Sequence, residues 1–411
     1  MSSSILAPHR SRAVLPGLLS AGLVIVLGIL SVGTIRGLPL GGWASSELLI
    51  NYEGGFVRRG LLGALLALSS EPLALAHQVQ IVAVGLFFAG FALLLATSRQ
   101  PLGALASLVL VLFTPGGLFD MASSGFEFLE RKEIFLYVAM LVLVLFARRF
   151  GIFRPGSIVL FSAISVAMVL VHELFFLFFV APIFAILLFA SGVPVKTRGL
   201  SAGAYLLANS AALLAVVLNP GNSRIVDAIR SSYQGTDAEE RAGDGGIIAL
   251  SWDLRMSVGL SRRMLEEGSA WYWVAFVVIA VILIFALVVV NADSRRYVAA
   301  TAVTFSLSSL ALLSSFVIAW DWGRWISMFS LSFFLLHELI RIVVKSPAAN
   351  TKERHQDTPP ATLYPTTFRL REILLFAAVA GFAALTSLIF QMSHCCPQEG
   401  VSSMVDVRLP F

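Results

Sequence analysis

Four groups of ionisable residues interrupt an otherwise apolar sequence, and each has the makings of a site. The first is Asn51-Tyr52-Glu53-Gly54-Gly55-Phe56-Val57-Arg58-Arg59-Gly60, where a carboxylate lies within a few residues of two guanidiniums and the glycines permit close backbone approach. Such a loop suits an anion, because arginine forks match phosphate oxygens. The bland alternative is that Arg58 and Arg59 anchor the membrane interface. The second group is Glu127, Glu130, Arg131, Lys132 and Glu133, directly ahead of the fourteen apolar residues 134 to 147. At about 1.5 Å per residue that run covers roughly 21 Å, short of the ~30 Å hydrocarbon core. The Arg131-Lys132-Glu133 turn is therefore expected inside the membrane boundary, facing a wet cavity. Snorkelling or local thinning accounts for the same turn without a site.

The third group is His172-Glu173, flanked by Val169-Leu170-Val171 and Leu174-Phe175-Phe176. A histidine titrates near neutrality and a carboxylate can orient its ring, so the pair fits a general base. Which carboxylate does so, Glu173 or a distant one such as Glu53, is left open by the spacing. An interfacial turn with two solvated side chains is the alternative. The fourth is Trp320-Asp321-Trp322-Gly323-Arg324-Trp325, in which Asp321 and Arg324 are three apart and can meet on one helical turn. A fifth set, His337, Glu338 and Arg341, has spacings that suit a structural pair. No Walker A loop, GxGxxG, HExxH or cysteine-rich metal signature occurs, which leaves nucleotide-driven transport and zinc proteolysis unsupported.

Such residues need elements to hold them, and the composition says which. The chain has 411 residues, 58% hydrophobic and 13% charged, with a mean hydropathy of +0.87. A soluble core of that make-up is excluded. Eleven apolar runs are long enough to read as membrane spans: 14 to 33, 78 to 97, 102 to 119, 133 to 147, 157 to 171, 174 to 191, 200 to 218, 271 to 290, 298 to 319, 325 to 344 and 372 to 391. The runs are continuous rather than alternating, so the expected fold is all-α, a polytopic transmembrane bundle forming a single domain over residues 1 to 411. The first run reads as a span rather than a cleaved signal.

With the N-terminus cytoplasmic, sixteen of the basic residues fall in cytoplasmic loops, and nineteen of the twenty-four acidic ones fall outside. The pI near 9.5 then describes a cytoplasmic surface and not a nucleic-acid partner. All four charged groups emerge on the outer side, as do all seven tryptophans, whereas an aromatic belt alone is expected at both interfaces. Indole faces stack well on sugar rings. Residues 34 to 77 form a first outer segment with a short re-entrant or interfacial helix over 61 to 68. Residues 219 to 270 form a large outer loop able to lie on the membrane like a lid, and 346 to 371 a flexible cytoplasmic connection. Cys395 and Cys396 are adjacent and say little about redox state.

NYEGGFVRRGLLG (residues 51 to 63), ERKE (130 to 133), HE (172 to 173) and DWGRW (321 to 325) resemble motifs of a group of bacterial membrane proteins of envelope polysaccharide assembly. In layout the chain is similar to GT-C glycosyltransferases and O-antigen polymerases. That resemblance implies an inner-membrane enzyme transferring sugar from a polyprenyl-phosphate or diphosphate donor at the periplasmic face, with membrane lipids, the lipid-linked glycan and polysaccharide assembly proteins as partners. Arg58, Arg59, Arg131, Lys132 and Arg324 would hold donor phosphates. Glu53, His172, Glu173 or Asp321 would serve the acceptor hydroxyl, and Tyr52, Trp320, Trp322 and Trp325 the sugars. The first outer loop departs from GT-C enzymes in lacking a DxD or ExD pair, offering only Glu47 and Glu53, so no metal or cofactor is assigned and a divalent ion stays open. A transporter or flippase for an anionic lipid or solute, and a non-catalytic membrane component of the same assembly, are the competing readings.

Overall fold

The computed structural model describes residues 8–37, 42–97, 131–243, 245–252, 294–318 and 322–345, with isolated positions between 255 and 266. Helix makes up 82% of it, and no strand occurs among the described residues. The long helices are α1 (Pro8–Gly37), α4 (Pro72–Ala96), α5 (Glu133–Phe150), α6 (Pro155–Val171), α8 (Val195–Leu218), α12 (Arg295–Ile318) and α13 (Trp322–Lys345). Short ones join them: α2 (Gly42–Leu48), α3 (Gly60–Leu66), α7 (Ala181–Leu188), α9 (Ser223–Ser232), α10 (Glu239–Ala242) and α11 (Gly245–Ile248). Pro72 and Pro155 stand in the first turns of α4 and α6, where a missing N–H costs no hydrogen bond. Gly151 ends α5 at a φ of 78°, and its N–H donates to the Ala147 carbonyl.

Among the described residues five helices are long and apolar enough to cross a membrane: α1 over Leu18–Gly37, α4, α8, α12 over Arg295–Val317, and α13 over Arg324–Val344. They coincide with five of the eleven runs. The runs at 133 to 147 and 157 to 171 appear as the shorter helices α5 and α6. The run at 174 to 191 begins as a π-helical turn, Phe176–Val180, and continues as α7. The runs at 102 to 119, 271 to 290 and 372 to 391 lie outside the described residues, as does the 346 to 371 connection.

α13 is the central element, with 78% of its apolar stretch buried. It packs on α5, α7 and α12, while α1 lies along α4 and α6 along α8. Phe87, Phe91, Tyr137, Phe178, Phe329 and Phe334 fill the interior between them. α8 is the opposite case, only 22% buried, and turns Leu207, Leu214 and Leu218 outward. An apolar surface of that extent is stable against lipid and not against water.

The helix termini sort into two ends. At one end lie α2, α3, the start of α5, the end of α6 and the start of α13. At the other, Arg148 of α5 donates to Thr97 after α4, and Ser191 after α7 donates through its N–H to the Val343 carbonyl of α13. A second, small core closes the first end. Leu49, Ile50 and Val57 of the first outer segment pack with Val226, Ile229, Tyr233, Ile247 and Leu250 of the large loop. Residues 219 to 252 are thus folded onto that segment. Buried polar groups tie the two together: the Tyr233 hydroxyl donates to the Leu49 carbonyl at 2.8 Å, and the Asn51 side-chain amide donates to the Ser232 hydroxyl at 2.9 Å. Asp237 also accepts from the Leu73 and Ala74 amides, capping α4 from more than 160 residues away.

Candidate functional site

The sequence around 58 to 60 makes a tight corner. Arg59 has a φ of 66°, the only positive φ outside glycine among the described residues, and its side chain turns inward instead of to solvent. Gly60 sits under the Tyr52 ring and Gly63 against the Ile50 carbonyl, approaches that a Cβ would block. Arg59 Nε lies 3.1 and 3.0 Å from the two carboxylate oxygens of Glu173, and Nη2 lies 2.6 Å from Oε1, a forked contact. Its Nη1 reaches Glu47 Oε1 at 3.1 Å. Arg58 donates to the Ala249 carbonyl at 3.2 Å and stands 3.5 Å from Glu173.

The start of α5 and the start of α13 complete the cluster. Lys132 is fully buried and donates to the Arg59 carbonyl at 3.2 Å. Arg324 Nε lies 2.5 Å from Glu133 Oε1, its Nη2 also pairs with that oxygen, and Nη2 stands 3.7 Å from Glu47 Oε2. Arg131 is buried beside them and its carbonyl accepts from Gln80 of α4. His172 follows the last turn of α6. Its Nδ1 accepts the Leu174 N–H at 3.2 Å, which places the ring proton on Nε2, 3.9 Å from Glu47 Oε1.

Electrostatics follow from this packing. Burial alone would raise the Glu47 carboxyl, but Arg324, Arg59 and Lys132 hold it below the ordinary carboxylate range. Glu173 is likewise held low against its burial, chiefly by Arg59. Burial and the neighbouring Arg59 push His172 well below its usual value, so the ring is neutral at pH 7. Burial brings Lys132 down to about 8 even beside Glu47. Among the described residues Arg58, Arg59, Lys132 and Arg324 thus face the three carboxylates of Glu47, Glu133 and Glu173. It opens to solvent on one side only: Arg58, Arg59 and Glu173 are 24%, 20% and 18% exposed, whereas His172 and Glu47 are 1% and 2%.

The structure therefore brings together Arg58, Arg59, Arg131, Lys132, His172, Glu173 and Arg324 from four separate segments. It does not bring Glu53. That residue is exposed, its N–H donates to Asn51 Oδ1, and its charge is felt at the Tyr233 hydroxyl instead. The carboxylate that engages Arg59 from the first outer segment is Glu47, six residues earlier. Trp325 is no open sugar platform: it is 2% exposed, lies under the Arg324 guanidinium at 4.9 Å and stacks on Phe178. Tyr52 is half-buried and stacks on Phe56. Trp320 and Asp321 lie outside the described residues, as do Glu127 and Glu130, while Trp322 opens α13. Arg324 pairs with Glu133 and Glu47. The fifth set is a structural pair as expected, Glu338 with Arg341 at 2.6 Å, and His337 meets the Tyr297 hydroxyl.

From the sequence Glu47 stood only as one of two acids in the first outer loop, with no role assigned, and Gln80 was not singled out. Glu47 gave one signal, a lone carboxylate in the run Trp43-Ala44-Ser45-Ser46-Glu47-Leu48-Leu49-Ile50, too short to span and too apolar to sit in water. Among the described residues no group of three or more His, Cys, Asp or Glu side chains is placed to hold a metal ion. No protein-family model matches the chain, and neither a similar curated protein nor a similar solved structure was found.

Proposed function

We propose that the chain is a membrane glycosyltransferase or polysaccharide polymerase that takes sugar from a polyprenyl-phosphate or diphosphate donor at the periplasmic side of a bacterial inner membrane. The observation that supports it most is the half-open charged cluster. An arginine-rich, largely dry group at one end of an apolar bundle suits a lipid phosphate, whose tail stays in the bilayer while its head meets arginine. Arg58 and Arg59 receive the phosphate oxygens, and Lys132 and Arg324 behind them fix Glu47 and Glu133. Glu173, the carboxylate nearest the opening, accepts the proton of the acceptor hydroxyl. The acceptor oxygen then bonds to the anomeric carbon, the carbon–oxygen bond to phosphate breaks, and the negative charge left on the phosphate rests against the two arginines. In the resting cluster Arg59 is committed to Glu173. A donor phosphate that draws Arg59 away restores proton affinity to Glu173 only once the donor is bound. Neutral His172, its Nδ1 engaged by Leu174, orients Glu47 and is a positioning residue here.

The purified full-length chain in lipid nanodiscs, given candidate polyprenyl-linked sugars, is expected to release the polyprenyl phosphate or diphosphate. Arg59→Ala and Glu173→Gln should each lower that rate about a hundredfold or more, and Arg59→Lys should not restore it, because a lysine lacks the fork. In a strain making a surface polymer, unchanged polymer in Arg59→Ala, Glu173→Gln and His172→Ala alike rejects the proposal.

A second reading has one observation of its own. Thr304 and Ser308 of α12 and Ser330 and Ser332 of α13 are buried with hydroxyls that meet no hydrogen-bond partner, between the cluster and the Tyr297–His337 pair. A wetted seam there would suit a flippase. Movement of the lipid-linked sugar between leaflets without cleavage of its phosphate bond distinguishes that activity.

A further inference from the structure

The end of the bundle opposite the charged cluster holds a second, unrelated cavity of about 540 Å3. Its walls come from the end of α5, the connection to α6, and α13: Phe150, Ile152, Phe153 and Ile342 supply apolar surface, and Arg148 and Arg154 stand with them in the lining. The cavity is built into the backbone. The Ser191 N–H and hydroxyl bond the Val343 and Val344 carbonyls at 3.1 and 2.6 Å, and the Ser157 hydroxyl bonds the Gly151 carbonyl at 2.9 Å. Thr97 fixes Arg148 by its hydroxyl at 2.8 Å and by its carbonyl. Arg154 is exposed and its guanidinium has no ion-pair partner among the described residues.

Charge at this end is one-sided. Arg148, Arg149, Arg154, Lys196, Arg198 and Arg341 gather there, while Glu338 is the one carboxylate among the described residues at this end and is already paired with Arg341. An apolar hollow with guanidiniums in its lining, set between membrane-spanning helices, matches a molecule with a hydrocarbon portion and an anionic phosphate head. A soluble anion would gain from the arginines but leave the apolar wall uncovered.

We propose that this cavity binds the headgroup and upper chain of an anionic phospholipid from the leaflet at the basic end, with Arg154 as the principal contact to its phosphate. The site is independent of the transfer chemistry proposed above. The test uses purified full-length protein in a neutral detergent, with its melting temperature followed on adding phosphatidylglycerol, phosphatidylcholine or inorganic phosphate. Phosphatidylglycerol is expected to raise the melting temperature well beyond phosphatidylcholine, and inorganic phosphate to have no effect. Arg154→Ala is expected to weaken the phosphatidylglycerol response about fivefold in apparent affinity. Ile342→Trp, which fills the hollow without touching charge, is expected to weaken it as well. Equal responses to both lipids, a response to inorganic phosphate of the same size, or full retention in both variants overturns the proposal.

Discussion

At His172 folding is coupled to protonation. Its neighbours in sequence suggested a proton acceptor, yet the Leu174 N–H occupies Nδ1 and burial keeps the ring neutral. The energetic consequence has a definite sign. The unfolded chain binds a proton on this histidine below about pH 6.5 and the folded chain does not, so stability falls as pH drops through that region, by up to about 1.4 kcal/mol per pH unit. Glu47 and Glu173, held low in the fold, add losses of the same sign only below about 4.5. Melting temperatures of the purified protein should therefore decline between pH 7 and 5, and His172→Asn should flatten that interval. A decline of equal steepness in the variant would assign it to other groups. The misplacement of Glu53 has a related cause: sequence distance made it the natural partner of Arg58 and Arg59, but the turn at Tyr52-Glu53-Gly54-Gly55, closed by a Gly55 N–H to Tyr52 carbonyl bond, sends it away from them.

At the scale of elements, the helical runs were plain from hydropathy, because an apolar stretch of spanning length has few other stable forms. Of the short segments, the run at 61 to 68 was legible and appears as α3, whereas α2 was not anticipated. α2 and α3 are seven residues each, and both are fixed by tertiary contact rather than by propensity. Gly63 shows the constraint: a Cβ built there would stand 2.0 Å from the Ile50 carbonyl oxygen. Gly63→Ala must push α3 away from the strand of chain carrying Leu49 and Ile50, and with it the Arg59 corner. A destabilisation of about 1–3 kcal/mol is expected, together with loss of transfer activity, read from melting temperature and from the donor-cleavage assay. Normal stability and rate in that variant would show α3 to be a passive filler. The π-helical turn at Phe176–Val180 could not have been read from composition either, yet it follows His172-Glu173 by two residues, the kind of local irregularity that often accompanies a site.

For the whole molecule, hydropathy set the charged groups between apolar runs and left their meeting to the fold. Every described constellation expected on the outer side lies at one end of the bundle, although the cluster itself, knit from residues up to 277 positions apart between Glu47 and Arg324, was beyond reach of spacing arguments. Orientation can be checked directly. With Cys395 and Cys396 replaced by serine, Gln234→Cys should react with a membrane-impermeant maleimide on intact spheroplasts, and Gly192→Cys only after permeabilisation. Labelling of both from the same side would undo the periplasmic assignment.

The salt link between Glu47 and Arg324 also sets an order of events during synthesis. A ribosome delivers Glu47 and Glu133 to the lipid long before Arg324 emerges, so both carboxylates enter the bilayer region without their strongest counter-ion. The early helices must wait for the last charged one before their ends can dehydrate. A chain truncated before α13 is accordingly expected to be turned over faster than the full chain in a pulse–chase experiment.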